Sequence, residues 1–491
     1  MEERKLAGLM PERVMYYFEE VCNIPRGSGN TGRISEYLAG FAREHSLEYH
    51  QDALGNVIII KPASAGYEEK QPLMIQGHMD IVAVKDPDCS LDMEQEGVRL
   101  MVEGDAIYAE GSSLGADDGI ALAYGMALLE SSQISHPRLE VVFTVEEETG
   151  MDGARGIDLS MCQAARMLNL DSDEEGIFWT GCAGGAKVKV VQPLELQTGE
   201  GRAVTIVVRG LTGGHSGVDI HKGRGNANLL LGRILWKIAA EVDFSLAELS
   251  GGAADNAIPA YASAKLVVNC ETDLEKVMQL CQATAADIKQ ELISKDGGVQ
   301  ILCEKQEAGV FTGIGGQAAK TALALLCALP GGVQAMSADI PDLVETSLNL
   351  GVMRLTGITP AAEKGELRLD LALRSSVESA KLNMVERIEA VARLSGALVT
   401  VSNAYPGWAF AKESPLRETM AAVYEQMYGK KPLIQAVHAG LECGFFAAKV
   451  PGLDCVSIGP NMSDIHTTKE SLSISSAKSM WDYLIALLAV V

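Results

Sequence analysis

The chain has 491 residues, of which 47% are apolar and 22% are charged, and its net charge is −24 at pH 7. This length exceeds what one compact core usually holds and therefore predicts two domains. The acidic balance argues against nucleic acid as a partner, because binding to phosphates requires a basic face.

The cysteines and the two terminal segments indicate the cellular compartment of the protein. Ten cysteines without a C-x-x-C pair, and a charged first segment without an apolar signal core, predict a cytoplasmic protein with reduced thiols. The apolar tail "MWDYLIALLAVV" is too short to cross a membrane and predicts a packed terminal helix.

Apolar runs of strand length alternate with helical patterns in the first part of the chain. The predicted strands are "NVIIIKP", "LMIQGHMDIV", "RLEVVFTVEEE" and "RMLNLD", and "LGADDGIALAYGMALLESS" has the spacing of a helix. Because these strands are continuously apolar rather than alternating, we expect a mostly parallel sheet covered by helices on both faces.

The pattern changes after residue 194. The runs "AVTIVVRGL", "AYASAKLVVNC", "LNLGVMRL" and "GELRLDLALRSS" predict a sheet with one exposed face. A long helix between them is expected to open with a capping box formed by Thr272 and Glu275. The α/β pattern then resumes, which predicts an α+β domain at 195–395 inserted into a split α/β domain at 1–194 and 396–491.

Ionisable residues lie where these strands end or helices begin. His78 and Asp80 are two residues apart in "GHMD", so in an extended chain both side chains face the same side. Taken alone, this spacing is more typical of a His–Asp pair with a purely structural role. Further such groups are Asp117 and Asp118 in "GADDG", the glutamates 146–148, Asp171 and Asp173 in "DSDEEG", and His466 after "CVSIGP".

These groups are expected at one edge of the sheet, because ligands bind beyond the carboxyl ends of parallel strands. Clustered carboxylates repel one another unless a divalent cation compensates their charge. Two histidines and three carboxylates, one of them shared, suit a pair of zinc ions. Each motif has an ordinary alternative: a solvated strand end for the glutamates, a helix start for "GADDG", and a turn or calcium loop for "DSDEEG".

The motifs taken in order resemble one family. "GHMDIV", "LGADDGIA", "EEETGMDGA", "NLDSDEEG", "GGHSGVDIHKGRGNAN", "NAIPA", "HAGLECG" and a late histidine after "SIGP" resemble the co-catalytic zinc peptidases of the aminoacylase–carboxypeptidase superfamily. They are most similar to its aminoacyl-histidine dipeptidase branch (peptidase D, cytosolic non-specific dipeptidase). The resemblance implies a split catalytic zinc domain with an inserted lid and dimerisation domain.

The resemblance also implies roles for the strand-end residues. His78 and Asp171 would bind one zinc ion, Asp117 would bridge two, and Glu148 and His466 would complete the second site. Asp80 would orient His78, and Glu147 would be the general base. Because a third glutamate precedes this pair, a shift of the motif by one residue onto Glu146 stays open at this stage.

In the lid, the resemblance implies substrate-binding roles for His215, Asn256 and Arg374. His221 is the alternative to His215, and Arg374 could equally be an ordinary strand-end arginine in a salt bridge. Glu442 and His438 are expected near the cleft, with Glu442 as a candidate for binding the substrate amine. A homodimer is implied, with the lid histidine acting in its own subunit or in the partner subunit.

The activity implied by the resemblance is that of a di-zinc metallopeptidase. It would hydrolyse dipeptides with a free amino terminus, including Xaa-His dipeptides such as β-alanyl-histidine, by attack of a metal-bridging hydroxide with Glu147 as base. Mn²⁺ or Co²⁺ could substitute for Zn²⁺. The alternatives are an N-acyl amino acid deacylase or carboxypeptidase of the same superfamily, a metal-binding relative without catalysis, or a scaffold stabilised by a structural metal.

Overall fold

The computed structural model describes residues 4–360 and 362–491, which form two compact units. The first unit extends to Gly181 and is completed by Phe410–Ala436 and Leu441–Val491. The second unit consists of Cys182–Ala409 and Val437–Gly440. A chain that leaves the first unit and returns to it is the arrangement expected of an inserted domain.

The first unit is built on an eight-stranded sheet. Its strands, in spatial order, are Glu48–Gln51, Val57–Lys61, Leu139–Thr144, Leu73–His78, Arg166–Asn169, Asp454–Ser457, Ile177–Cys182 and Leu433–Val437. The middle four strands pair in parallel. Val57–Lys61 pairs antiparallel with Glu48–Gln51 and with Leu139–Thr144, and Asp454–Ser457 pairs antiparallel with Ile177–Cys182. Every residue of Leu73–His78 and Leu139–Thr144 is buried, as predicted for strands covered on both faces.

Helices cover this sheet, and a small antiparallel sheet adjoins it. The helices are Glu12–Cys22, Gly32–Glu44, Ala116–Glu130, Glu147–Gly150, Asp152–Gly156, Pro415–Tyr428, Cys443–Lys449 and Ile474–Leu488. The small sheet contains Leu100–Glu103, Ala106–Ala109, Met462–Ser463 and Ser471–Ser473. Because the four central strands are parallel, the segments that follow their carboxyl ends lie at one edge of the main sheet.

The second unit is built on an antiparallel sheet. Its strands, in spatial order, are Gln300–Gly313, Gln197–Arg209, Ala262–Val268, Ser245–Gly251, Val344–Thr356, Lys364–Ser375, Gly184–Glu195 and Leu398–Tyr405, and Gly332–Met336 also pairs with Val344–Thr356. Buried Val188 and Val190 alternate with exposed Lys187 and Lys189, so one face packs inward and the other meets solvent.

Helices pack on the buried face of this second sheet. They are Ala227–Ala239, Glu271–Leu292, Gly316–Ala328 and Glu378–Leu394, with a short 3₁₀ turn at Ile220–Lys222 and a two-stranded pair, Gly214–His215 with Ala257–Ile258. The capping box predicted at Thr272 and Glu275 is wrong, because the helix already begins at Glu271 after Cys270 and has no side-chain cap.

The second unit extends beyond the predicted inserted domain 195–395 at both ends. The reason is that Gly184–Glu195 and Leu398–Tyr405 are strands of its sheet, each paired along its length. The boundaries are therefore corrected to those of the two units, while the assignment of a catalytic domain and a lid stays a prediction. Among the described residues, no helix combines the length and apolar character needed to cross a membrane.

Candidate metal centre

His78 is the last residue of a central strand, and its ring is held in one orientation. The side chain is buried, and Nδ1 lies 3.1 Å from the main-chain oxygen of Asp80 and 3.6 Å from Asp80 Oδ1. Since a carbonyl oxygen only accepts hydrogen bonds, Nδ1 is the donor in this contact. Nε2 is then the nitrogen available to a metal, and it lies 3.0 Å from Asp117 Oδ1 and 3.6 Å from Asp171 Oδ1.

The carboxylate of Asp80 organises the neighbouring segment. It is fully buried and accepts hydrogen bonds from the main-chain N–H groups of Glu147 (2.9 Å) and Glu148 (3.2 Å) and from the Ser28 hydroxyl (2.8 Å). Burial opposes its charge, but His78 and these donors lower the pKa of Asp80 to about 2. The Asp80 carboxylate therefore connects the His78 segment to the turn that carries both glutamates.

The bend after Val145 decides which glutamates join the site. The strand ends at Thr144, Glu146 adopts a left-handed conformation with φ 57°, and a short helix begins at Glu147. The Glu146 carboxylate accepts two hydrogen bonds from the N–H of Gly29, at 2.8 and 2.9 Å. Glu147 and Glu148 instead place oxygens within 4.8 Å of a His78 nitrogen. The strand alternation that would pair Glu146 with Glu148 is thus interrupted.

Asp117 lies between the two histidines. Its Oδ1 is 3.0 Å from His78 Nε2, and its Oδ2 is 3.1 Å from His466 Nε2. His466 Nε2 is also 2.9 Å from Glu148 Oε1. Burial opposes the charge of Asp117, but His466 and His78 hold the pKa of this carboxyl below its usual range. One carboxylate that presents each oxygen to a different histidine has the arrangement of a bridging metal ligand.

Two further carboxylates complete the cluster. Burial raises the pKa of Asp171 to about 6, and burial together with the charge of Asp171 raises the pKa of Asp118 well above its usual value. Asp118 Oδ2 accepts the main-chain N–H of His78 at 3.1 Å, and its Oδ1 is buried without a hydrogen-bond partner. The "GADDG" motif pointed to both aspartates, but only Asp117 was assigned a role, because spacing does not reveal that Asp118 turns toward the strand.

The donor set fits divalent cations. Among the residues that the structure describes, three groups have ligand atoms within 4.8 Å of one another: His78 with Asp118 and Asp171, His78 with Glu147 and Glu148, and Asp117 with Glu148 and His466. Imidazole nitrogens and carboxylate oxygens are ligands that zinc accepts. Burial also raises the pKa of Glu147 well above its usual value, as expected where several carboxylates share one desolvated space. A cation there would offset that repulsion.

The second unit brings His215 and Arg374 together. His215 Nδ1 accepts main-chain N–H groups of Gly217 (3.2 Å) and Val218 (3.3 Å), so the neutral ring carries its hydrogen on Nε2. That nitrogen lies 3.4 Å from Arg374 Nη2, and Arg374 Nη1 donates to the Tyr405 hydroxyl at 3.0 Å. Burial and the charge of Arg374 lower the pKa of His215. Two N–H donors therefore lie side by side, which suits an anionic group.

The other residues predicted in this unit differ in exposure. Asn256 is exposed and contacts the His215 segment through its main-chain oxygen, which accepts the N–H of Ser216 at 2.8 Å. His221 is exposed on the 3₁₀ turn. His438 is buried, and its Nε2 lies 2.7 Å from Ser347 Oγ. Ser347 and Tyr405 were not predicted, because single polar residues inside strands carry no sequence signal.

Comparison with protein families assigns most of the chain to one family. The model of peptidase family M20/M25/M40 matches residues 74–489, a range that contains all the ligand candidates. The chain belongs to peptidase family M20/M25/M40. The family resemblance predicted from the motifs is confirmed. The prediction that the chain is a metallopeptidase is confirmed with it.

Two relatives with 34–35% identity match this M20 peptidase over nearly its whole length. The cytosol non-specific dipeptidase of Escherichia coli (strain K12) is 35% identical over 486 residues, which cover 99% of this chain and 98% of that protein. The crystal structure of aminoacylhistidine dipeptidase from Vibrio alginolyticus matches with a TM-score of 0.92 and 34% identity, covering 99% of this chain and 98% of that one. Aminopeptidase PepT from Bacillus cereus ATCC 10987 shares the fold, with a TM-score of 0.59, 18% identity and 98% of both chains covered. The predicted fold class is thereby confirmed.

Glu442 of this M20 peptidase lies beneath the strand ends. Its side chain is fully buried, and Oε2 accepts hydrogen bonds from Gln76 Nε2 and the Thr144 hydroxyl, both at 2.6 Å. Burial raises the pKa of Glu442 to about 7. The carboxylate thus neighbours the strands that carry His78 and the glutamates, and its contact with a substrate amine stays a prediction.

Proposed function

We propose that this chain is a dipeptidase that uses two zinc ions to hydrolyse dipeptides with a free amino terminus, including Xaa-His dipeptides such as β-alanyl-histidine. The observation that carries the proposal is the position of Asp117, whose two oxygens lie 3.0 and 3.1 Å from His78 and His466. The names of the two full-length relatives, a non-specific dipeptidase and an aminoacylhistidine dipeptidase, support the substrate class.

The distances at the site support the ligand set that the family resemblance implies. His78, Asp117 and Asp171 would bind one ion, and Asp117, Glu148 and His466 the other. When bound, the ions supply Lewis acidity that polarises the peptide carbonyl and lowers the pKa of a water molecule. Mn²⁺ and Co²⁺ are expected to substitute, since they accept the same nitrogen and oxygen ligands.

Glu147 is assigned the proton transfer. Its main-chain N–H is fixed by Asp80, and its carboxylate lies in the group around His78. As general base it takes a proton from the attacking water and then passes it to the amine of the leaving amino acid. Asp80 keeps both His78 and Glu147 oriented for this exchange.

His215, Asn256 and Arg374 are proposed as substrate-binding residues. Arg374 presents guanidinium N–H groups suited to a free carboxylate, and its buried Nε has no hydrogen-bond partner. The Nε2–H of His215 suits the negative charge that develops on the carbonyl oxygen. We further propose a cytoplasmic homodimer, and light scattering of the purified protein tests the oligomeric state.

Metal analysis and a substrate panel on one preparation test the proposal. Free dipeptides should be hydrolysed and N-acetylated dipeptides should not, and activity lost on chelation should return with Zn²⁺. Preferred hydrolysis of N-acyl amino acids would support a deacylase instead, and release of C-terminal residues from longer peptides would support a carboxypeptidase. A metal-loaded protein without turnover would indicate a non-catalytic relative.

A further inference from the structure

Glu470 lies four residues after His466, outside every group of candidate ligands described above. Its side chain is 2% exposed. Oε2 accepts the main-chain N–H groups of Leu114 and Gly115, both at 2.9 Å, and Oε1 accepts those of Ala116 at 2.7 Å and Asp117 at 3.3 Å. One buried carboxylate therefore receives four consecutive backbone donors.

These donors belong to the turn that presents Asp117. The helix begins at Ala116, and the first N–H groups of a helix have no partner within it. Gly115 enters the turn with φ 75°, and Asp117 itself has non-helical backbone angles. The first helical hydrogen bond here joins the Gly119 N–H to the Gly115 oxygen at 3.1 Å, so it leaves the N–H groups of residues 114–117 without a helical partner. These N–H groups instead have the Glu470 carboxylate as their acceptor.

Arg26 holds the same turn from its carbonyl side. The buried guanidinium donates to the main-chain oxygens of Gly115 at 2.5 Å and Met79 at 2.8 Å. Met79 separates His78 from Asp80, so Arg26 connects the turn to the His78 segment. A Cβ at position 115 would approach Arg26 Nη2 to 2.8 Å, which accounts for glycine there in addition to its positive φ.

We propose that Glu470 is a positioning residue for metal binding, which keeps Asp117 aligned with His466. The two ligands come from distant parts of the chain, and Glu470 joins them because it is continuous with the His466 segment and hydrogen-bonded to the Asp117 turn. The inference rests on the proposed function, since it assumes that Asp117 and His466 share an ion. Loss of the carboxylate leaves four N–H groups, three of them buried, without this acceptor and frees the turn to shift.

Glu140 provides a matched control in the same unit. Its side chain is also fully buried and accepts the main-chain N–H groups of Gln163 (2.8 and 3.0 Å) and Ala164 (3.0 Å), but this turn carries no candidate ligand. Glu470→Gln and Glu140→Gln each replace one accepting oxygen by an amide NH₂ that faces backbone donors. Both should lower the melting temperature of the metal-free protein.

The deciding experiment measures Zn²⁺ affinity by competition with a chromophoric chelator, together with the absorption spectrum of the Co²⁺-loaded protein. We expect Glu470→Gln to weaken Zn²⁺ binding about 10- to 100-fold and to alter the Co²⁺ spectrum. Glu140→Gln should keep the wild-type affinity and spectrum. Equal Zn²⁺ affinity and an unchanged spectrum in Glu470→Gln would overturn the inference.

A second pair covers the case in which Glu470→Gln does not fold. Glu470→Asp and Glu140→Asp keep the negative charge but shorten the side chain by one methylene group. Only Glu470→Asp should weaken Zn²⁺ binding. Equal Zn²⁺ affinities of the two variants would again overturn the inference. Failure of the wild-type protein to bind Zn²⁺ gives a different result, because it refutes the proposed function itself and the inference with it.

Discussion

The carboxylate of Asp80 accepts the main-chain N–H of Glu147 at 2.9 Å, although the two residues come from different strand ends. The predicted role of Asp80 was to orient His78 alone. The structure adds a second connection, because the same carboxylate also accepts the N–H of Glu148 at 3.2 Å. One buried carboxylate thus contacts His78 and also the two glutamates that are proposed as base and ligand.

Asp80→Asn should disturb all three residues at once. The amide NH₂ that replaces one carboxylate oxygen in this variant would face one of the two N–H groups that now donate to the carboxylate. The turn at residues 147 and 148 would therefore lose a hydrogen bond. We expect Zn²⁺ affinity to fall about 10- to 100-fold, with a parallel loss of dipeptide turnover. Ser28→Ala is the control, since it removes only the 2.8 Å hydroxyl contact and should have a smaller effect. Equal effects of the two substitutions would argue against this role.

Glu147→Ala should separate metal binding from catalysis. The general base contributes roughly 10²- to 10⁴-fold to turnover, while the predicted ligands are other residues. The variant is therefore expected to keep its metal content and to lose nearly all hydrolysis. Glu146→Ala is the matched control, because that carboxylate accepts hydrogen bonds from Gly29 instead. Near-normal activity of Glu147→Ala, or a similar loss in Glu146→Ala, would refute the assignment of the base.

Arg374→Ala should slow the hydrolysis of dipeptides with a free C-terminal carboxylate and leave that of C-terminal amides unchanged. If its guanidinium binds the free carboxylate, kcat/KM for a dipeptide falls about 10- to 100-fold, as for the loss of hydrogen bonds to a charged group. The C-terminal amide of the same dipeptide lacks that carboxylate and should be hydrolysed equally by both proteins. An equal loss for both substrates would indicate that Arg374 maintains structure through its 3.0 Å contact with Tyr405.

His438 should make stability depend on pH. Burial and the charge of Arg374 lower the pKa of His438 to about 3, below its usual 6.5. Between these values the unfolded chain binds the extra proton, so the free energy of unfolding decreases as the pH falls below 6.5. From pH 7 to pH 5 this contribution amounts to about 2 kcal/mol. Urea unfolding at both pH values should show a smaller decrease for His438→Gln than for the wild type, and identical decreases would contradict the prediction.

Much of the first unit could be predicted because burial leaves a direct trace in the sequence. The continuous apolar runs before His78, Glu146 and Asp171 are typical of strands covered on both faces, and parallel strands bring their carboxyl ends to one edge. The parallel arrangement of these strands is sufficient to predict that the ionisable residues cluster at that edge. The assignment of individual roles needed the family resemblance.

Backbone conformation and long-range contacts could not be predicted. Alternation along a strand groups Glu146 with Glu148, but the positive φ of Glu146 ends the alternation at that residue. Glu470 carries no motif of its own, since its four donors lie more than 350 residues away in the chain. The ends of the second unit were misplaced because the edge strand Leu398–Tyr405 is largely exposed and lacks an apolar run.

The measurement that tests the central claim most directly is the number of Zn²⁺ ions bound per chain in the wild type and in Asp117→Ala. Asp173→Ala is the control, because it removes an exposed carboxylate beside Asp171. Elemental analysis after dialysis should find two ions per chain in the wild type and in Asp173→Ala. Asp117→Ala should bind fewer than two, since one carboxylate is proposed to serve both ions. Two ions retained stoichiometrically by Asp117→Ala would contradict the bridging role.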